Sequence, residues 1–173
     1  MWDFFETVRH RHSVRKYYPD MPVEEEKLHA ILEMACAAPT AGDLQSYRII
    51  AVKDAETREA ICRSTKEQDF LCQAPVNLIF CADTRRAEQA YGERGKTLYA
   101  IQDATIAAAY AQLAIVAAGL GTAWVGYFDE AALSETLKLD EGVRPIAIIT
   151  VGYPAELPEP TPRRPLDEIV KVV

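Results

Sequence analysis

The most constraining feature of this sequence is the stretch from Thr97 to Ala118, which is rich in alanine and apolar on nearly every side. A surface helix carries one apolar stripe, so a helix that is apolar all round must be enclosed. A membrane span needs about 20 predominantly apolar residues, and Gln102, Asp103 and Gln112 interrupt this stretch. Two alternatives remain: a helix at the centre of a soluble core, or a helix covered by a partner subunit.

The rest of the chain predicts one domain that spans residues 1–173, because a chain of this length forms a single core. Periodicity and capping residues predict further helices, and runs of β-branched residues predict strands. The predicted helices cover residues 3–10, 23–37, 54–64, 84–91 and 130–137; the predicted strands or extended segments cover 47–52, 76–82, 122–126 and 144–151. Five prolines from Pro154 to Pro165 predict an extended arm at the end.

The charge of the chain argues against nucleic acid as a partner. The net charge is −7 and the isoelectric point is near 5.0, whereas affinity for nucleic acid depends on many cations that neutralise phosphates. The cations are nevertheless clustered: Arg9, Arg11, Arg15 and Lys16 lie close together, and Arg163 and Arg164 recur near the end. This distribution predicts a local anion site.

The cysteines indicate neither a metal site nor a redox pair. Cys36, Cys62, Cys72 and Cys81 match no CxxC pattern, so we expect four reduced thiols. The first residues include early acids and lack the apolar segment of a secretory signal. We therefore expect a cytoplasmic protein that is not bound to a membrane.

The run Arg11-His12-Ser13-Val14-Arg15 is the candidate anion site. In an extended segment, side chains at alternate positions share a face, so Arg11, Ser13 and Arg15 would project together. Two guanidinium groups and a hydroxyl suit phosphate oxygens, and His12 adds a further donor. The alternative is a solvated arginine cluster that complements the negative end of the preceding short helix.

Four motifs in order make this chain resemble the FMN-dependent nitroreductase family over essentially its whole length. The first is the Arg11–Arg15 run, and the second is the loop Ala38-Pro39-Thr40-Ala41-Gly42-Asp43-Leu44-Gln45. The third is Gly119-Leu120-Gly121-Thr122-Ala123-Trp124-Val125-Gly126, and the fourth combines Gly152-Tyr153-Pro154 with Arg163-Arg164-Pro165-Leu166. The resemblance implies an α+β fold, in which helices flank a mostly antiparallel central sheet, and an intertwined homodimer with FMN at its interface.

The resemblance also assigns the two ends of the chain to the FMN phosphate. Arg11, His12, Ser13 and Arg15 would hold the ribityl phosphate, and Arg163 and Arg164 would close on it from the tail. An acidic protein needs several cations brought together to hold a group that carries nearly two negative charges.

The resemblance places the isoalloxazine ring against three other segments. Pro39, Thr40, Ala41, Asp43 and Gln45 would line the ring from the second subunit. Gln68 lies where an amide often bonds the ring or the ribityl chain, and Val125 and Gly126 would offer backbone N–H groups at the reactive edge.

Two departures from the family pattern concern the ring. Asp43 stands where Asn is usual, and Ser46-Tyr47 replaces Pro-Trp. An ionised Asp only accepts hydrogen bonds, so Asp43 could bond the flavin N3–H but would repel negative charge that develops near O2. It would lower the reduction potential of the flavin or point away from the ring.

The function that the resemblance implies is NAD(P)H-dependent reduction of nitroaromatics, quinones or flavins by a ping-pong cycle, in which NADH or NADPH reduces FMN and leaves before the acceptor binds. The sequence contains no Ser-His-Asp set or paired catalytic carboxylates, and the family needs no catalytic side chain. Because the connection before the central helix is short, we expect an open site of broad specificity. Two alternatives remain: a specialised enzyme of the same fold, such as a reductive dehalogenase or an FMN-fragmenting enzyme, and a non-enzymatic flavin carrier.

Overall fold

Aspartate side chains begin several helices of the protein. Asp3, Asp54 and Asp129 each accept a hydrogen bond from a backbone N–H in the first turn of the helix that follows. Such caps satisfy donors that have no partner within the helix. These helices therefore start where the sequence predicts.

The computed structural model describes residues 3–65 and 68–173. Its helices are α1 Phe4–His10, α2 Glu25–Cys36, α3 Ala55–Arg63, α4 Phe70–Gln73, α5 Thr84–Arg94, α6 Ala100–Ala117 and α7 Glu130–Thr136, and its strands are β1 Tyr47–Val52, β2 Val76–Asp83, β3 Trp124–Val125 and β4 Val143–Val151. Short 3-10 turns cover Ala41–Asp43 and Leu166–Glu168, and a π-helical turn covers Gly95–Tyr99.

The four strands form one antiparallel sheet in the order β1-β2-β4-β3. Strand β2 is buried along almost its whole length, which explains its continuous apolar sequence. Helices lie against this sheet, so the predicted α+β fold with an antiparallel central sheet is confirmed.

Helix α6 is the central helix, and alanines form its inner face. Ala104, Ala107, Ala108 and Ala111 are fully buried, and the last three share a core cluster with residues of α2, β2 and β4. The outer face is open, since the side chain of Tyr110 is 43% exposed. Within one chain, α6 therefore belongs to the core on one side only.

The helical stretch Thr84–Ala117 is long and apolar enough to cross a membrane by length and composition alone. Half of its most apolar window is buried inside the domain, and the buried Asp103 lies within it. Core helices of globular proteins pass the same test, and the packing of α6 against α2 and the sheet identifies it as one.

The stretch before α6 differs from the prediction. Gly92 breaks the helix with φ +59° and ψ −148°, a conformation that is essentially confined to glycine. The π-helical turn then passes close to α5, and a Cβ on Gly95 would lie 2.1 Å from the carbonyl oxygen of Ala87. Helix α4, which the sequence analysis did not predict, has only four residues, too few to show a period.

Replacing Gly95 with alanine tests this close contact. Alanine normally stabilises a helical position by about 1 kcal/mol relative to glycine, but here the new methyl group would collide with backbone. We expect Gly95→Ala to lower the free energy of unfolding by about 1–3 kcal/mol in urea denaturation. At Gly126, where the nearest atom to a new Cβ lies at 3.6 Å, Gly126→Ala is expected to stay within about 0.5 kcal/mol. A stabilised Gly95→Ala variant would contradict the close contact.

Candidate functional site

The segment from Arg11 to Arg15 leaves α1 in an extended conformation. Helix α1 ends at His10, and the C-cap residue Arg11 is extended, with φ −69° and ψ 107°. Ser13 then forms a parallel bridge with Thr122, and the N–H of Val14 donates to the Thr122 carbonyl at 3.0 Å. The extended geometry that the phosphate hypothesis requires is therefore present.

A buried polar network holds this segment from below. The Tyr17 hydroxyl donates to the Val14 carbonyl at 2.8 Å and lies 2.5 Å from Oγ1 of Thr150, which accepts the N–H of Ala123 at 2.8 Å. Tyr17 is 3% exposed, and burial raises the pKa of its hydroxyl. The network joins the cationic segment to β4 and to the start of β3.

The positive charge of Arg163 acts on Arg11, although the two residues are far apart in sequence. Burial lowers the pKa of Arg11, and the nearby positive charge of Arg163 lowers it further. Neither guanidinium group belongs to an ion pair among the described residues, so the two charges make a candidate anion site. Arg164 instead donates from Nε to Oε2 of Glu168 at 3.1 Å, within the tail.

A cavity of about 430 Å³ adjoins this anion site. It lies between the end of α1, the turn after α6 and the proline-rich tail, and His12, Val14, Gly121, Thr122 and Glu156 are among its lining residues. Glu156 also accepts the backbone N–H of Arg15 at 2.6 Å. The sequence analysis missed Glu156, because 141 residues separate it from Arg15 and no local pattern connects them.

The loop from Pro39 to Ser46 has an unusual backbone. Gly42, Asp43 and Gln45 have positive φ angles of 57°, 56° and 53°. Asn and Asp tolerate this left-handed region better than most residues, so Asp43 suits the conformation of a position where Asn is usual. The carboxylate of Asp43 accepts a hydrogen bond from Nε2 of Gln45 at 3.3 Å.

Several neighbours hold this loop, among them Arg86, whose Nε donates to the Leu44 carbonyl at 2.7 Å. The buried carboxylate of Asp103, in the first turn of α6, accepts the N–H groups of Ala41 and Ser46. The hydroxyl of Tyr91 lies where a Cβ on Gly42 would stand. In the sequence, Asp103 stands out only as a polar interruption. A carboxylate within an otherwise apolar helix was the signal that could have indicated its role.

The loop and the cationic segment lie at opposite ends of α6. The loop is bound to Asp103 at the start of the helix, and the segment pairs with Thr122 just beyond its end. The 18 residues of α6 extend over about 27 Å at 1.5 Å per residue. Within one chain, the predicted phosphate residues and the predicted ring residues of the loop are therefore not brought together.

The segment around Val125 and Gly126 is held at both ends. Val125 pairs with Ile148 of β4, and Phe128 forms a bridge with Thr65. Gly126 and Tyr127 between these anchors are exposed. The segment predicted to face the reactive edge of the flavin is thus an exposed turn, held by β4 on one side and by Thr65 on the other.

Gln68 lies in the turn between α3 and α4. Its carbonyl accepts the N–H of Leu71 at 3.0 Å and a contact from Sγ of Cys62 at 3.7 Å. These contacts fix its backbone in that turn, and the predicted role of its amide stays a prediction.

The cysteines are free thiols. Burial and the neighbouring Cys62 raise the pKa of Cys72 to about 12, and burial raises that of Cys81 to about 12, so these two thiols are unreactive near neutral pH. Within residues 3–65 and 68–173, no group of three His, Cys, Asp or Glu side chains is arranged to hold a metal ion.

Replacing Tyr17 with phenylalanine tests the buried network through its pH dependence. The variant loses the bond to the Val14 carbonyl, so at pH 7 we expect a loss of about 1–3 kcal/mol in unfolding free energy. In the unfolded chain, the Tyr17 hydroxyl ionises near its ordinary pKa of 10.0. In the folded protein its pKa is raised, so the hydroxyl stays protonated to higher pH. This contribution is therefore fully present below pH 10 and is lost as the pH rises towards the native pKa.

The difference between wild type and Tyr17→Phe should accordingly shrink when urea denaturation is repeated above pH 10. Tyr18→Phe is the matched control, because Tyr18 is 52% exposed, and it should change stability little at either pH. A constant difference for Tyr17→Phe across this range would show that its ionisation is not coupled to folding.

Comparison with known proteins gives consistent matches. The sequence profile of the nitroreductase family matches residues 8–68 and 62–153. A protein named NADH dehydrogenase from Thermus thermophilus is 31% identical over 92% of this chain and 91% of its own length. A Bacillus subtilis protein named FMN reductase [NAD(P)H] is 31% identical over 98% of this chain and 73% of its own length.

Solved structures show the same likeness in three dimensions. The structure of NfrA2 from B. megaterium superposes with a TM-score of 0.91 at 30% identity, over 99% of this chain and 74% of that one. The likeness covers both ends of α6, and with them the cationic segment and the left-handed loop. Together with the profile match, which covers more than half of the sequence, it confirms the resemblance seen in the motifs: this chain belongs to the nitroreductase family.

Proposed function

We propose that this chain is an FMN-dependent oxidoreductase that uses NADH or NADPH to reduce nitroaromatic compounds, quinones or free flavins by a ping-pong mechanism. The observation that carries the proposal is that the charge of Arg163, in the tail of an acidic protein, acts on Arg11 at the start of the extended segment. The names of the relatives, an FMN reductase and an NADH dehydrogenase, support the same chemistry.

The anion site suits the phosphate of FMN. A phosphate monoester carries about two negative charges at neutral pH, and the like charges of Arg11 and Arg163 repel each other until such an anion binds between them. Ser13 and His12 lie on the same segment as further donors. We assign the phosphate to Arg11, His12, Ser13, Arg15 and Arg163, with Arg164 reaching it only if its bond to Glu168 opens.

The length of α6 supports a homodimer with sites at its interface. The phosphate and the ring of FMN are joined by a five-carbon chain, which is too short to connect two half-sites at opposite ends of a helix of about 27 Å. Two subunits that pack with α6 reversed would bring the cationic segment of one to the loop of the other. The loop residues Pro39, Thr40, Ala41, Asp43 and Gln45 would then line the ring held by the partner.

The apolar surface of the single chain supports the same assembly. Phe4 and Phe5 are 66% and 67% exposed, and Tyr110 opens the outer face of α6. In the tail, Leu166, Ile169, Val170 and Val172 are all exposed. Large exposed apolar areas of this kind mark interfaces, and a tail that wraps around a partner subunit would cover them.

The residues of the chain bind and orient, and the cofactor supplies the redox chemistry. When bound, FMN would supply the chemistry of hydride transfer from the nicotinamide and electron transfer to the acceptor. The rigid support of Val125 and Gly126 would hold their backbone N–H groups at the reactive edge, where they stabilise negative charge. The exposed turn of Gly126 and Tyr127 leaves room for two substrates in succession, as a ping-pong cycle requires.

We further propose that the protein works in the cytoplasm on small-molecule acceptors. Four free cysteines are typical of a reducing compartment. The net charge of −7 disfavours nucleic acid as a partner.

Anaerobic titration tests the proposed activity. Purified protein should be yellow. NADH or NADPH should bleach its flavin absorbance at a rate at least as fast as steady-state turnover. Addition of a quinone, a nitroaromatic compound or free FMN should restore the oxidised spectrum. FMN that stays oxidised with both nucleotides would indicate a flavin carrier, whereas reduction followed by reoxidation with only a single acceptor would indicate a specialised enzyme.

Comparison of FMN with riboflavin tests the phosphate assignment. Riboflavin lacks the phosphate, so Arg11→Ala and Arg163→Ala should each weaken FMN about tenfold or more and leave riboflavin affinity nearly unchanged. Removal of one like charge should not lower the thermal stability of the ligand-free protein. Arg63→Ala, at an exposed arginine of α3, is the control and should bind FMN as the wild type does. Equal weakening of both flavins would place the phosphate elsewhere.

A further inference from the structure

Asp103 is a buried carboxylate in the first turn of an otherwise apolar helix. The residue is 1% exposed, and none of the ion pairs among the described residues includes it. Burial of a charged group is costly unless hydrogen bonds compensate it. Hydrogen-bond donors around the carboxylate must therefore compensate the cost of its burial.

Three donors from one loop surround this carboxylate. The N–H of Ala41 donates to Oδ1 at 3.0 Å, and the N–H and hydroxyl of Ser46 donate to Oδ2 at 3.2 and 2.5 Å. Ser46 is itself fully buried. One side chain thus ties both ends of the Ala41–Ser46 segment to the start of α6.

The residues between these two ends are in a conformation that they would not adopt alone. Asp43 and Gln45 have positive φ angles without being glycine. Such residues persist only where the surrounding structure determines their conformation. Inside the loop, Asp43 and Gln45 donate their N–H groups to Thr40, and Nε of Arg86 donates to the Leu44 carbonyl. Asp103 bonds to both ends of the loop.

We propose that Asp103 is the positioning residue that sets the conformation of this loop, and that through it Asp103 controls the flavin bound to the partner subunit rather than to its own. This inference rests on the proposed FMN site. Asp103 does not touch the flavin in this arrangement. Its three hydrogen bonds fix where the loop presents its side chains, and α6 carries that loop away from the cationic segment of the same chain.

The first test needs no flavin. In Asp103→Asn, the amide nitrogen faces a donor, so at least one of the three bonds is lost. We expect amide hydrogen exchange at Ala41 and Ser46 in the ligand-free protein to become at least tenfold faster, with the exchange of β2 and β4 unchanged. Ser46→Ala, which keeps the carboxylate and both backbone bonds, should give a smaller effect in the same residues. Unchanged exchange in both variants would overturn the proposal.

The second test measures binding. Asp103→Asn should raise the dissociation constant for both FMN and riboflavin about tenfold, and it should change the visible circular dichroism of the bound flavin. Gln112→Ala is the matched control, because Gln112 is a buried residue on the same helix whose truncation leaves a cavity but does not touch the loop. A general loss of stability would affect both variants, whereas a positioning role affects only the first.

The third test determines which subunit Asp103 serves. Differently tagged chains are co-expressed, and mixed dimers are isolated by two affinity steps. When Arg11→Ala is in one chain and Asp103→Asn in the other, both defects fall in one site, and one site per dimer keeps wild-type FMN affinity. When both changes are in one chain beside a wild-type chain, each site carries one defect and neither keeps that affinity.

The reverse pattern, or equal binding by the two mixed dimers, would overturn the assignment to the partner's flavin. Failure of the wild-type protein to bind FMN would instead overturn the proposed function. The hydrogen-exchange result would still decide whether Asp103 sets the loop.

Discussion

The packing of the alanine face of α6 determines where every other part of the site lies. Ala107, Ala108 and Ala111 have no exposed surface, and their small side chains let the helix lie close to α2 and the sheet. A helix whose inner face is packed in this way cannot bend or slide without opening the core, because protein interiors are close-packed. Its length therefore sets a fixed distance between the loop at one end and the cationic segment at the other.

The two ends of the helix are fixed by different chemistry. At the far end, the uncharged hydroxyls of Tyr17 and Thr150 hold the backbone around Val14. The guanidinium group of Arg11 takes part in none of the ion pairs among the described residues. At the start of α6, the buried carboxylate of Asp103 holds the loop in which Asp43 and Gln45 have positive φ angles. The cationic end is thus the proposed anion site, and the hydrogen bonds of Asp103 hold the conformation of the loop at the other end.

Local sequence signals were sufficient for most of the fold. Asp54 and Asp129 predict the helices that follow them, because a capping residue bonds within three residues. Strand β2 is predicted by its unbroken apolar run. The π-helical turn and α4 were missed, because neither has enough residues to show a period. The family motifs located the loop and the cationic segment, but not the contacts that support them.

Those supporting contacts join residues that are distant in sequence. Asp103 lies 57 residues from Ser46, and Tyr17 lies 133 residues from Thr150. No window of the sequence contains both partners, so only the folded chain reveals them. A buried carboxylate in an alanine-rich helix is nevertheless a usable sign, since such a residue must have donors somewhere.

Asp43 illustrates how the structure changes the meaning of a substitution. From the sequence alone, aspartate in place of asparagine is a question of flavin electrostatics. In the structure the position first requires a left-handed backbone, which both residues tolerate, and the carboxylate is engaged by Gln45. The loop end then carries the negative charges of Asp43 and Asp103, while Arg11 and Arg163 carry positive charge at the other end. In the proposed dimer with α6 reversed, the cations of one subunit would lie at the anionic phosphate of FMN. The loop of the partner subunit would lie at the uncharged ring. The distribution of charge along α6 would then match the distribution of charge along FMN.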